Sequence, residues 1–221
     1  MTNNCASIRA RYLLGCLILG STFALAGYKA RPWSIRERST YPAQLTSEKV
    51  TIAVEPLVSD KLAAEVFDKD DILSRGIMPL AVVIFNDNDF PISVEGATVE
   101  LIRQQDHLHT LLPEEVGPRL MKKTGRGFVL PDPIPRSGSG DRATADAVAD
   151  LDHKFLSTKV VAAREKGGGF LYLHVPAKDV EEYLSDATLY IPNVYRSDTG
   201  APMIFFEIEL RPAVDSLRTK K

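Results

Sequence analysis

Along this chain the apolar positions alternate far more often than they recur at helical spacing. Val50-Thr51-Ile52-Ala53-Val54 opens the pattern as a half-buried strand. Leu80, Val82 and Ile84 then fall on one face of an extended segment and Ala81, Val83 and Phe85 on the other. That double-sided apolarity predicts a central strand buried on both faces. Asn86-Asp87-Asn88-Asp89 ends it with turn formers, Phe90-Pro91-Ile92-Ser93-Val94 resumes in extended form, and Val99 and Leu101 lie on a further strand beyond Gly96. Near the C-terminus Gly169-Phe170-Leu171-Tyr172-Leu173-His174-Val175 alternates again, and residues 187–191 make another candidate strand. Ile204, Phe206, Ile208 and Leu210 then share one face while Glu207 and Glu209 turn to water.

Helical signals are short and few. Residues 62–67 suit one or two turns, with 68–76 as a connection. Residues 113–123 favour helix, but Gly117-Pro118 predicts that it is short or broken. Residues 143–156 place Ala147, Val148, Leu151 and Phe155 along one stripe. Between these, residues 124–144 lose any apolar period. Pro131-Asp132-Pro133-Ile134-Pro135 followed by Arg136-Ser137-Gly138-Ser139-Gly140 reads as a mobile loop. Seven or eight short strands without a βα repeat predict a mainly β chain, folded as an antiparallel β-sandwich with one or two short helices in insertions.

The first residues follow a different rule. Arg9 and Arg11 precede an uncharged run from Tyr12 to Tyr28, in which Ala24-Leu25-Ala26 has the small-residue spacing of a signal-peptidase site. This predicts an exported chain of the bacterial periplasm or cell envelope, with residues 1–26 removed. Two alternatives keep the chain at the membrane. Leu13-Leu14-Gly15-Cys16 has the form of a lipoprotein box, although it would leave most of the apolar run on the mature protein. The uncharged run also reaches the lower limit for spanning a bilayer. Residues 27–47, polar and basic with Pro32 and Pro42, read as a tether, 48–212 as the sandwich domain and 213–221 as a C-terminal tail.

The formal net charge is −2, and removing Arg9 and Arg11 makes the mature chain more acidic. Nucleic acid and anionic lipid both call for a basic patch, so neither is expected as a main partner. The two cysteines, Cys5 and Cys16, both lie in the leader. A mature chain without them has no disulfide staples, thiol nucleophile or thiolate metal site.

Val83-x-Phe85-Asn86-x-Asn88-x-x-Pro91-Ile92-x-Val94-x-Gly96 resembles the strand pair of the late-embryogenesis-abundant group-2 (water-stress, WHy) domain. Gly169-Phe170-Leu171-Tyr172-Leu173-x-Val175-Pro176 is similar to a late strand in immunoglobulin-like domains of bacterial envelope proteins. The resemblance implies an Ig-like sandwich whose asparagines and glycines set the turns. It brings no catalytic residues, and the insertion at 124–144 departs from compact members.

Candidate chemistry is sparse. His107 and His109 share one face of a strand with Asp106 beside them, but zinc or copper needs further ligands, and His153 and His174 are the remaining histidines. The expected role is polar residues on the solvent face of an edge strand. Asn86-Asp87-Asn88-Asp89 is oxygen-rich, yet lacks the glycine and distal glutamate of a calcium loop. Gly167-Gly168-Gly169 precedes a strand, where a phosphate cradle needs a helix, and is expected to form a hairpin turn or bulge. Glu114-Glu115, Glu181-Glu182 and Asp146, Asp150 and Asp152 could pair carboxylates for glycoside hydrolysis, but solvated faces explain them. No nucleophile elbow or zinc-protease helix appears.

No catalytic, cofactor-binding or metal residue is therefore assigned, and no cofactor is expected. The expectation is a non-enzymatic structural or protein-interaction module of the envelope, with another envelope protein as partner, no nucleic acid, and attachment through the N-terminal segment left open. The alternative is a small-molecule or lipid-binding sandwich, stress-related as the water-stress resemblance implies. An open apolar cavity between the sheets would favour that alternative, and a filled interior the interaction module.

Overall fold

The computed structural model describes residues 28–69, 71–121, 139–175 and 180–219. Among the described residues ten strands form two antiparallel sheets. The first contains β1 (Ala43–Ser47), β2 (Val50–Pro56), β3 (Ile77–Asn86) and β8 (Lys166–His174), in the order β1-β2-β3-β8. The second contains β4 (Ile92–Glu95), β5 (Glu100–Arg103), β6 (Asp106–His109), β7 (Thr158–Val161), β9 (Thr188–Arg196) and β10 (Pro202–Glu209). In it β9 pairs with β10 along one edge, and with β5 and then β4 along the other. β6 and β7 flank β5 and β4. Mainly β and antiparallel, the chain is a β-sandwich.

β3 is the centre of the first sheet, and all ten of its positions are buried. Its inward residues Leu80, Val82 and Ile84 join Ile52 and Val54 of β2 and Leu171 and Leu173 of β8. Facing them are Ile92 and Val94, Leu101, Leu189, Ile191 and Val194, and Phe206 and Ile208 of the second sheet. This apolar packing fills the space between the sheets, and each fully buried aliphatic or aromatic side chain contributes about 1.5–3 kcal/mol. The Asn86–Asp89 turn is held by its own amides. Asn86 Nδ2 donates to the carbonyls of Phe90 (2.8 Å) and Ala162 (3.0 Å), and Asn88 Nδ2 to that of Glu48 (3.0 Å).

Several sequence expectations need correction. Residues 28–47 are not a tether. β1 pairs with β2, and residues 28–42 lie as a strap over the outer face of the first sheet, with Tyr28 and Tyr41 buried. Trp33, Ile35 and Tyr41 pack there against Ala53, Val83 and Phe85. Three ion pairs fasten the strap: Arg31 to Asp68 (3.4 Å), Arg36 to Glu55 (2.6 Å) and Arg38 to Asp87 (2.8 Å). Nor is the stretch read as a tail, 213–221, one over its described residues. Residues 213–219 lie inside α5 (Arg211–Thr219), which buries Ala213 and Val214.

Helices are also more numerous than the one or two expected. α1 (Asp60–Val66) starts where the hydroxyl of Ser59 accepts a bond from the Leu62 amide at 3.2 Å. α2 (Pro113–Met121) continues through Pro118. It packs on α3 (Ser139–Lys154), and a Cβ on Gly117 would lie 2.2 Å from Val148 Cγ2, so the glycine allows a close crossing. Tertiary packing outweighs the local break. Of the stretch read as a mobile loop, 139–144 belongs to α3, and the remainder lies outside the described residues, as does the leader. A short α4 (Val180–Ser185) precedes β9. Gly167, Gly168 and Gly169 sit inside β8, and the turn before it runs through Arg164 at φ 61°.

Candidate functional site

The two sheets differ in what covers their outer faces. On the first, aromatic side chains of β8 meet the strap and helices. Phe170 lies edge-on to Trp33 (4.8 Å) and Phe67 (5.2 Å), while Tyr172 stacks on Phe155 at 6.0 Å. On the second, the register places His109, Glu100, Tyr190 and Glu207 in one row across β6-β5-β9-β10, and His107, Ile102, Thr188 and Glu209 in the next. Glu207 and Glu209 are exposed, as are Phe205 (53 %) and Val160 (55 %), and the ring of Phe205 lies 6.1 Å from that of Tyr190. An antiparallel sheet tolerates one solvated face, but here large apolar groups interrupt the polar rows.

The paired histidines stand at one edge of this face. His107 Nδ1 lies 2.8 Å from Glu100 Oε2, and His109 Nδ1 lies 3.6 Å from Glu100 Oε1, with the imidazoles 50 % and 71 % exposed. Asp106 alternates to the other side of β6. His174 is held by the Gly76 carbonyl at 2.9 Å, and His153 is on α3. Among the described residues, no group of three or more His, Cys, Asp or Glu is placed to hold a metal. At the opposite edge Glu207 and Glu209, together with Glu95 on β4, form no ion pair among the described residues.

The other carboxylates stand apart from one another. Glu114 and Glu115 occupy the first turn of α2, where Glu115 Oε2 accepts from the Leu112 amide at 2.8 Å. Glu181 and Glu182 occupy the first turn of α4. These positions favour negative charge for the helix's own sake. In the oxygen-rich turn, Asp87 pairs with Arg38 and Asp89 with Arg164, whose hydrogen bond holds the Asp89 carboxyl below its usual range.

Asp150 occupies a more unusual place. With Lys154, one helical turn on, it forms a buried ion pair at 2.6 Å, the two side chains only 4 % and 6 % exposed. Lys154 Nζ also donates to the Val66 carbonyl at 2.9 Å and lies 5.1 Å from the ring centre of Phe67. The Tyr28 hydroxyl donates to Asp150 Oδ2 at 2.6 Å. Burial, reinforced by that bond, pushes the Tyr28 phenol well above its ordinary range. Burial does the same to Tyr172, whose hydroxyl donates to the Leu151 carbonyl at 2.9 Å. Beside this network opens a cleft of about 600 Å³. One wall is strap residues Ala30, Arg31, Pro32 and Trp33, the other Asp150, His153 and Lys154, and Gly168 lies between.

Sequence reasoning did not find this second site. The i, i+4 spacing of Asp150 and Lys154 was visible, but their burial depends on Tyr28 and Trp33, which stand in a segment without periodicity. No protein-family model matches the chain, and no curated protein or solved structure is significantly similar to it.

Proposed function

We propose that the protein is an exported, non-enzymatic interaction module of the bacterial cell envelope, engaging another envelope protein through the outer face of its six-stranded sheet. The leader pattern supports the compartment. The observation that carries the reading is the asymmetry between the sheets. The central strands β2 and β3 of the first are covered on both faces, with exposure confined mainly to its edge strand β1, whereas the second turns Phe205, Val160, Tyr190 and three carboxylates without ion pairs toward solvent. The packed interior between the sheets supports the same reading, since it leaves recognition to the surface. Such a face suits a partner that brings basic side chains among apolar ones, because glutamates repel acidic surfaces and the aromatics need covering.

Site-specific photocrosslinking in the native envelope tests this. A photoreactive residue in place of Glu207 is expected to give a discrete higher-mass adduct, and the same residue in place of the exposed Glu65 on α1 none. Adducts from Glu65 alone, or from neither position, would overturn the reading.

A further inference from the structure

The cleft between the strap and α3 carries a second inference, independent of any protein partner. The geometry points to a binding site for a small carboxylate with a compact apolar body, held between Trp33 and the C-terminal turn of α3.

The charged and indole side chains around the cleft divide unevenly between donors and acceptors. The one carboxylate among them is already engaged. Both oxygens of Asp150 receive Lys154 Nζ, and Oδ2 receives the Tyr28 hydroxyl as well. Two carbonyls of the last turn of α3 are capped as well: Leu151 by the Tyr172 hydroxyl at 2.9 Å and Asp152 by the Phe155 amide at 3.1 Å. Lys154 is engaged too, so the buried pair offers neither a free charge nor a free proton. Donors remain. Arg31 reaches Asp68 by one long contact of 3.4 Å, with its side chain 46 % exposed. Among the described residues neither the Trp33 indole N–H nor the His153 ring has a hydrogen bond.

Guanidinium and indole donate and cannot accept, so their complement carries acceptor oxygens, best a carboxylate that Arg31 can grip with two parallel bonds. Pro32, Ala30 and the indole supply the apolar wall. The cleft volume of about 600 Å³ is of the size that takes a small molecule. A Cβ on Gly168 would lie 2.5 Å from the Val82 carbonyl and 3.2 Å from Trp33 Cη2, so the glycine required by the close β3 backbone also leaves the indole room against β8. Because one wall is the strap, a bound carboxylate also clamps residues 30–33 to the domain.

Trp33 is the chain's single tryptophan, so its fluorescence reports directly on the cleft. The test titrates the purified chain with cyclohexanecarboxylate, which is optically silent, and with cyclohexylmethylamine, its cationic counterpart. The expected result is a saturable change with the carboxylate, half-complete below millimolar concentration, and none with the amine. Arg31→Gln with His153→Gln should weaken it about tenfold or more, as loss of bonds to a charged group does, while the chain still unfolds cooperatively in a circular-dichroism melt. No saturable change, an equal response to the amine, or an unaltered response in the double variant would overturn the proposal. As no partner protein is present, the outcome leaves the sheet-face reading separately testable.

Discussion

The Tyr28 hydroxyl donates a hydrogen bond to Asp150 at 2.6 Å, joining positions 122 apart in sequence. That bond fixes the start of the described chain to the helix that covers the first sheet. Tyr28→Phe removes one hydrogen bond to a charged acceptor while keeping the ring. It should cost about 1.5–3 kcal/mol in urea unfolding, with a shift in Trp33 fluorescence as the strap loosens. A change confined to a few tenths would mean that the strap is held by its ring contacts and arginine pairs instead.

The ion pair beneath it makes a sharper contrast. Lys154→Met strands a buried carboxylate and should destabilise by about 3–5 kcal/mol. Asp150→Leu with Lys154→Met removes both charges and should recover most of that loss. Chemical denaturation of the single and double variants decides the matter, and equal losses in both would show that packing dominates there.

Alkaline pH should act through the same place. The phenols of Tyr28 and Tyr172 are held above their ordinary range by burial, so folding keeps them protonated. Above a pH of about 10 the unfolded chain ionises its tyrosines while these two stay neutral. Stability is then present below that pH and falls as pH rises beyond it. Ultraviolet absorbance and circular dichroism followed together should show their ionisation arriving with unfolding. Ionisation of every tyrosine before unfolding would contradict the burial.

The parts of this fold that sequence made legible are those in which side chains near one another in sequence share an environment. Leu80 to Phe85 are apolar on both faces because β3, at the centre of the first sheet, is covered on both. Ile204 to Leu210 alternate because only one face of β10 is buried. His107 and His109 were legible as neighbours on one face, since a strand sets i and i+2 together. The strap was not legible. Tyr28, Trp33 and Tyr41 are spaced irregularly among basic residues, and each meets a partner distant in sequence or in another element: Asp150, Phe170, Phe85. Pro118 misled for the reverse reason, because a local break was overruled by a helix crossing at Gly117.

Core and edge should respond differently to truncation. Ile84 and Phe206 are fully buried, and replacing either with alanine should cost about 2–5 kcal/mol. His107→Ala and His109→Ala, on exposed positions, should each stay within about 0.5 kcal/mol, and a chelator should leave the melting temperature unchanged. A strong fall with chelator would make Glu100, His107 and His109 a metal site.

The open sheet face shows its role most directly in its native setting. Quantitative affinity purification from envelope extract should compare three chains: the native one, a variant with Arg31→Gln and His153→Gln, and one with Phe205→Ser, Glu207→Lys and Glu209→Lys. The predicted result is one protein retained equally by the first two and reduced about tenfold or more by the third, as loss of a buried aromatic anchor and reversal of charge would produce. Equal retention by all three chains, or no protein retained by the native one, would contradict it.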